Sequence, residues 1–554
     1  MNQQSNMGGR RIGWLLGVFA GAFAIGFVSQ RGGATPSPAS NPVVVAPEVE
    51  KEPEAVTRGR ELSKVVCAGC HLYPDPSIYD KVTWGMAILP TMEIMMAQTV
   101  DDPYSRLEDT PRLREKGFLP TQPVLPDDQW EEIQTFYLHD APDEMPPRPA
   151  IGVVVEGKTD LFRSMTLEKR HSPMTTLVDI DEERGKLYIG RTDIPPSLAE
   201  FDAQGKFIRE TLVHSAPVKR VARPDGDVLC LIGNHLPTDK LVGHIVKMSQ
   251  KEGATPAVLL EEIPRSTWVD VADFDGDGQE DLLVCSYGNY VGEISLYFKR
   301  DDGYEKNVII ERPGALRTHL KDLDGDGDLD FIVIFAQHRE GIYRFLNQGG
   351  GRDWVMETIR EFHPAWGLCY MEPVDFNNDG VEDLLVVNGD NGDHPDYKYP
   401  HKHYHGIRIY QGDGQGGYEE SLFLPQFGVY QANARDYDLD GDIDIAAISF
   451  FPDYDRAPGE AFVLYENNGK NDFRGWTFDK VLEGRWIVMD SGDLDGDGDQ
   501  DIVIGSLLAG PGHMPEAAKA LWENIGGEAV VLWNTTREKD PKVVMGRTFL
   551  RDNP

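Results

Sequence analysis

"DLDGDGDLDFIVIF", residues 322–335, sets five aspartates among leucines and glycines over nine positions and runs straight into an unbroken apolar stretch. An Asp/Gly nonapeptide marks a tight, liganded turn rather than a helix. A short, continuous β-branched run after it marks a strand buried on both faces. The same sentence recurs four more times: "DFDGDGQED" before "LLVCSY", "DFNNDGVED" before "LLVVNG", "DYDLDGDID" before "IAAISF" and "DLDGDGDQD" before "IVIGSL". The starts at Asp273, Asp322, Asp375, Asp436 and Asp493 are 49, 53, 61 and 57 residues apart. Each interval is room for four strands and their turns, the size of one propeller blade. Two weaker copies lie upstream, "TLVDIDEERGKLYIG" with Asp179 in register and "VKRVARPDGDVLCLIG" with Arg223 there. Seven units predict a seven-bladed β-propeller, with "DLFRSMTLEKR" and "AVVLWNTT" sharing the blade that closes the ring.

Within each strong copy, hard oxygen donors fall at positions 1, 3, 5, 7 and 9 around a glycine at position 6, the donor set of a calcium ion. The EF-hand shares the first half of this pattern but needs a glutamate at position 12 and a following helix. Here position 12 is Val284, Val333, Val386, Ala447 and Ile504, inside the apolar runs, so that reading fails. The loops closely resemble the FG-GAP or VCBS-type repeats of integrin-like propellers, which carry calcium in strand-connecting loops. That resemblance implies about five Ca²⁺. The ligand sets would be Asp273, Asp275, Asp277, Gln279 and Asp281; Asp322, Asp324, Asp326, Asp328 and Asp330; Asp375, Asn377, Asp379, Val381 (through its carbonyl) and Asp383; Asp436, Asp438, Asp440, Asp442 and Asp444; and Asp493, Asp495, Asp497, Asp499 and Asp501. The two early units lack the pattern and are expected to be empty. Five such ions offset part of the formal net charge of −38, which itself makes nucleic acid an unsuitable partner.

The chain is 554 residues long, too long for one core, and five cysteines are too few for a disulfide framework. Arg10 and Arg11 precede the uncharged run Ile12 to Val28, which predicts an export signal, read as a single N-terminal anchor in a bacterial inner membrane with the bulk in the periplasm. A cleaved signal is the alternative. The expected organisation is a membrane segment at 1–31, a Pro/Ala-rich linker at 32–53, a helical domain at 54–149 and the propeller at 150–554.

Inside the helical part stands "CAGCH", residues 67–71. Two thiols at this spacing add across the vinyl groups of one haem while the adjacent histidine reaches the iron. A zinc half-site would need a second cysteine pair, and Cys230, Cys285 and Cys369 are isolated in apolar β runs, where core packing is expected. The segment from about Glu54 to Pro149 resembles a class I-like monohaem cytochrome c domain. The resemblance implies one covalent haem c on Cys67, Cys70 and His71, with a distal methionine from a loop. Met92 in "LPTM" is the preferred ligand, with Met86, Met95, Met96 and Met145 as alternatives.

The fold class expected is therefore a small all-α domain followed by an all-β propeller. The function expected is electron transfer rather than catalysis, with the propeller as a docking platform for a basic or membrane-bound redox partner. Two rival readings are a haem–propeller oxidoreductase with a second active centre in the propeller, and an adhesive propeller with an accessory haem domain. His394, His401, His403 and His405 in one long inter-motif segment, and a polar position three residues before each corner (Asp270, His319, Glu372, Asn433 and Asp490, with Thr176 and Arg220 in the weak units), are the features that bear on a second centre. For the histidines an exposed loop is the plainer expectation, and for the polar positions solvated strand ends.

Overall fold

Every acidic nonapeptide is a corner. In the computed structural model it joins the innermost strand of a blade to the second strand, and its ninth residue opens that second strand: Asp281–Ser286, Asp330–Phe335, Asp383–Asn388, Asp444–Ser449 and Asp501–Ser506. All six residues of each of these strands are buried, as their apolar runs require. The structure describes residues 52–98, 107, 110–147, 155–192, 194–249, 251, 253–392, 402–470, 472–512, 514–524 and 526–539. The apolar run 12–28, His394 and His401 lie outside them. Among the described residues no helix is long and apolar enough to cross a membrane.

Seven antiparallel sheets form a seven-bladed β-propeller. Blade 1 starts at Thr175–Asp181, blade 2 at Pro217–Val221, blade 3 at Ser266–Ala272, blade 4 at Ala315–Lys321, blade 5 at Leu368–Val374, blade 6 at Val429–Arg435 and blade 7 at Trp486–Gly492. These seven first strands touch in sequence, the seventh against the first, so they ring the axis. Closure is a two-ended clasp. Phe162–Thr166, from the start of the propeller, pairs antiparallel with Ala529–Asn534 near its end and completes blade 7. Val155–Lys158 adds a fifth, parallel strand to blade 6. The hydrophobic core is divided between the blades: one apolar cluster fills each of the seven interfaces, for example Phe274, Leu283 and Phe298 of blade 3 against Phe331, Val333 and Phe345 of blade 4.

The same irregularity near the start of every first strand fixes their common register. That register corrects the reading of the two early units. Asp179 and Val221, not Thr176 and Arg220, are equivalent to Asp270, and the first corner begins at Glu182 rather than Asp179. The first corner is only four residues long, which is why an alignment on aspartates slips.

Ahead of the propeller, Glu54–Val66 and Asp127–Asp140 are helices that cross in close contact. Trp130, Ile133 and Tyr137 are buried on one face, as their spacing predicts. The methionine segment expected as a loop is helical: a wide turn at Trp84–Ile88 leads into Leu89–Met95. Pro90 does not break it, because it directly follows the wide turn, where the backbone bonding pattern has already shifted, with the Leu89 N–H on the Trp84 carbonyl. These helices meet the loops between second and third strands and those leading into first strands. Tyr404 Oη donates to the Ile78 carbonyl at 3.0 Å, Arg112 Nη1 to the Asp239 carbonyl at 2.6 Å, and Lys116 pairs with Glu311 at 2.5 Å. Because strand direction alternates, that face is opposite to the acidic corners.

The helix crossing depends on Gly59. A Cβ there would stand 2.0 Å from the Glu132 carbonyl oxygen and 2.9 Å from Phe136 Cβ. Gly59→Ala is expected to cost about 1–3 kcal/mol of overpacking strain. Limited proteolysis should then cut selectively between residues 54 and 140 while the propeller stays intact.

Candidate functional site

Each corner is built by carboxylates accepting backbone N–H groups. In the blade 3 loop Asp273 Oδ1 accepts from Gly276 at 2.8 Å and Oδ2 from Gly278 at 2.8 Å, and the other four loops repeat the second contact. The glycine at position 6 has φ between +84° and +100° in all five loops. Position 4 is also left-handed throughout, including Asn378 (φ 57°) and Leu439 (φ 62°). Asparagine enters this region readily, whereas leucine at such a φ is strained. The spacing of donors alone does not reveal that requirement.

Position 9 has a second task. Asp281, Asp330, Asp383, Asp444 and Asp501 are each 0 or 1% exposed. One oxygen of each accepts from the backbone of position 2 (Phe274, Leu323, Phe376, Tyr437, Leu494) and the other from the third strand (Lys299, Asn347, Gly412, Asn467, Asn534), at 2.7–3.1 Å. The residue read from sequence as a metal ligand is also the rivet joining corner, second strand and third strand.

The donors fit a divalent cation. One oxygen each from Asp273, Asp275 and Asp281 lies within 4.8 Å of the others, and so do those of Asp322, Asp324 and Asp330, of Asp436, Asp438 and Asp444, and of Asp493, Asp495 and Asp497. In the blade 5 loop, where Asn377 replaces an aspartate, its amide donates to Asp379 at 2.9 Å. Burial and neighbouring carboxylates push Asp444 and Asp501 up to about 8, and Asp438 up to about 6. In the blade 3 loop the Arg300 guanidinium reaches Asp275 at 2.8 Å and Asp277 at 3.1 Å, supplying part of the counter-charge there. Blades 1 and 2 balance their acid differently. Arg220 binds Asp179, Asp181 and Asp227, and Arg184 joins Asp227 at 2.8 Å and Asp181 at 3.2 Å.

On the opposite face, Glu54–Val66 delivers the Cys-x-x-Cys-His motif on a short 3₁₀ turn, Cys67–Gly69. Cys67 packs in the same cluster as Met92, Met96 and Met145, beside Trp84 and Tyr137, whereas Met86 is 65% exposed and Met95 lies in a separate cluster with Leu113. Burial pushes the Cys67 thiol up, which argues against a reactive dithiol. The turn after the motif is pinned by Tyr137 Oη donating to the Pro74 carbonyl and Trp84 Nε1 to the Pro76 carbonyl, both at 2.8 Å. His71 Nδ1 lies 2.8 Å from the Leu72 carbonyl, so it carries the proton and leaves Nε2 as a free lone pair. Burial lowers the His71 pKa and favours that neutral form. The donor set therefore fits a covalently attached haem with an axial imidazole.

Loops of blades 4 and 5 flank this motif. The His71 and His363 rings are 6.5 Å apart, Arg339 Nε donates to the Cys70 carbonyl at 3.3 Å, and Ala365, Trp366 and Tyr404 pack in the Cys67–Met92 cluster. Burial and the nearby His71 lower the pKa of His338 to about 4 and of His363 to about 3. No local sequence pattern announces these residues. His403 and His405 do not alternate along a strand: they flank Tyr404 in a turn ahead of Gly406–Gly412, and His405 is buried. Among the described residues no cluster of three metal-ligating side chains includes them. Cys230 and Cys285 are fully buried, while Cys369 is half-buried and donates to the Gly367 carbonyl at 3.1 Å. The polar positions Asp270, His319 and Glu372 are not solvated strand ends but line a cavity of about 390 Å³ at the propeller axis.

An FG-GAP-like repeat family model matches residues 322–386, from the blade 4 corner into the second strand of blade 5. No curated protein sequence matches the chain. Solved propellers resemble it only distantly. Saccharomyces cerevisiae Sqt1 is 10% identical, covering 67% of this chain and 99% of its own, with a TM-score of 0.37. A regucalcin described as calcium-binding, from Agrobacterium tumefaciens, is 11% identical over 67% of this chain and 94% of its own, at 0.36. The Cps50 (Swd1) propeller domain from Myceliophteria thermophila is 11% identical over 66% and 99%, at 0.40.

The raised aspartates give a pH signature with a definite sign. A carboxyl whose folded pKa lies above its unfolded value stabilises the fold fully below about pH 4, and that stability is lost as pH rises through the folded value. With EDTA present, thermal stability should fall between pH 5 and pH 8 as Asp438, Asp444 and Asp501 ionise. Millimolar calcium should remove that fall and raise the melting temperature throughout. An identical pH profile with and without calcium would rule out ion binding at these corners.

Proposed function

We propose that the chain is an exported electron-transfer protein: a monohaem c-type cytochrome segment mounted on a calcium-stabilised propeller. The observation that carries the reading is the Cys67–Cys70–His71 motif at the end of Glu54–Val66. There His71 is held by its Nδ1 contact to the Leu72 carbonyl, and methionines from a second helix share the cluster with Cys67. A haem bound there would accept and release one electron at a time.

The chain's own residues divide the work. Cys67 and Cys70 would anchor the group, and His71 would present Nε2 to its iron. Met92, the preferred distal ligand, would add a thioether that raises the potential. Trp84, Tyr137 and the Pro74–Pro76 turn hold the motif in one geometry and keep water from its inner side. Cys70 is the exposed end of the motif, which makes it the side from which an electron partner approaches. The propeller fixes the orientation of that side through Arg339 and Tyr404 and serves as the docking platform. A basic partner suits the acidic chain, and its association would slow as salt rises. The apolar run at 12–28 and the linker behind it would tether the assembly to the inner membrane with the propeller in the periplasm.

Expression in a host competent for c-type haem attachment tests this directly. The purified chain should keep one haem through denaturing electrophoresis and show a low-spin spectrum. Cys67→Ala with Cys70→Ala should abolish covalent attachment without changing calcium content, and Met92→Ala should lower the midpoint potential. A chain that matures without any covalent haem overturns the proposal.

A further inference from the structure

The five acidic corners share a backbone but not a charge. At positions 1, 3, 5, 7 and 9, blades 4, 6 and 7 carry aspartate throughout, blade 5 has Asn377 and Val381, and blade 3 has Gln279. The third strand adds a second difference. Its residue that donates to position 9 is Lys299, Asn347, Gly412, Asn467 and Asn534 in blades 3 to 7. The next residues are therefore equivalent: Arg300, Gln348, Asp413, Asn468 and Thr535. Of these five, the blade 3 residue is the cation.

Arg300 is aimed into its corner. Its Nη2 pairs with Asp275 Oδ2 at 2.8 Å and its Nη1 with Asp277 Oδ2 at 3.1 Å. The arm is pinned in place. Nη1 also donates to the Lys299 carbonyl at 2.8 Å, Nε reaches Glu305 at 3.3 Å, and the guanidinium lies 5.0 Å from the centre of the Phe298 ring. The backbone takes the other oxygens: Asp275 Oδ1 accepts from the Asp277 amide at 3.3 Å and Asp277 Oδ1 from the Gln279 amide at 2.8 Å. In the blade 4 corner Asp324 and Asp326 accept the same backbone amides, at 3.2 and 2.9 Å. There no guanidinium or ammonium among the described residues takes the second oxygens.

A guanidinium is charged at every accessible pH, and its fork matches carboxylate geometry. Calcium asks for about six to eight oxygens. Asp273, Asp275 and Asp281 do bring three oxygens within 4.8 Å of one another, but Asp275 is already held by Arg300. An ion entering the blade 3 corner must break both Arg300 contacts or sit beside that charge. Blades 1 and 2 balance their acid with Arg184 and Arg220. We propose that blade 3 does the same: Arg300 stands in for the ion, its corner stays metal-free, and four calcium ions occupy the corners of blades 4 to 7. This count rests on the calcium reading of the corners and is independent of the haem reading. It divides the ring into a calcium-independent arc of blades 1 to 3 and a calcium-dependent arc of blades 4 to 7. The loops beside the Cys-x-x-Cys-His motif belong to the second arc.

The full chain, stripped with EDTA and then dialysed against millimolar calcium at fixed ionic strength, can be counted for bound ions by elemental analysis. Four ions per chain are expected, with five in Arg300→Gln, three in Asp324→Asn and still four in Asp275→Asn. Hydrogen exchange is the second readout. EDTA should expose the amides of Gly327, Gly380, Gly441 and Gly498 and leave that of Gly278 protected. Five ions on the unaltered chain, or one ion lost in Asp275→Asn, overturns the inference, and so does a count that stays at four in Arg300→Gln. Should Arg300→Gln lose its cooperative melt, Asp275→Asn and the exchange of Gly278 decide. A chain that takes up no calcium at all overturns the calcium reading itself, and the count with it.

Discussion

A buried carboxylate at the head of each second strand holds the propeller's corners. Asp281, Asp330, Asp383, Asp444 and Asp501 are removed from water, and each spends its two oxygens on amides from two different parts of the blade. Such a charge is costly in a low dielectric unless it is compensated. The backbone N–H groups compensate part, and the corner gathers three or four further acidic or amide side chains around the same point, which deepens the problem rather than relieving it. A divalent cation bound there would resolve it. Blades 1 and 2 show the other solution to the same constraint, where Arg184 and Arg220 place permanent cations among Asp179, Asp181 and Asp227.

That constraint divides the molecule into two faces. The corners occupy one end of the blades. The other end, made of loops of more varied length, carries the helices and the Cys-x-x-Cys-His motif. The loops that meet the motif bring His338, Arg339, His363 and Tyr404, so the motif is walled by residues from blades 4 and 5 as well as by its own helices.

The propeller was legible because its units repeat. One corner is an ordinary turn, but five in register, each followed by a doubly buried strand, specify blade length, blade count and the closing pair of segments. The helix crossing was legible in part: the faces of Glu54–Val66 and Asp127–Asp140 follow from periodicity, while the need for Gly59 follows only from where Glu132 arrives. The early units were misregistered because their corners, four and six residues long, leave no nonapeptide to align. The segment through His403 and His405, expected as an exposed loop, is a turn with His405 buried, because Lys402–His405 are drawn toward the helices before the next strand begins.

By itself the sequence determined the blade repeat, the donor spacing of the corners and the Cys-x-x-Cys-His motif, because each depends on residues close together along the chain. Tertiary structure alone decided which groups from distant blades meet. His363 stands beside His71, Arg339 reaches the Cys70 carbonyl, and Lys219, Trp268, Arg317 and Tyr370 come together from four blades at the axis. The physical reason is ring closure: equivalent positions about fifty residues apart become neighbours only when the seventh first strand packs against the first.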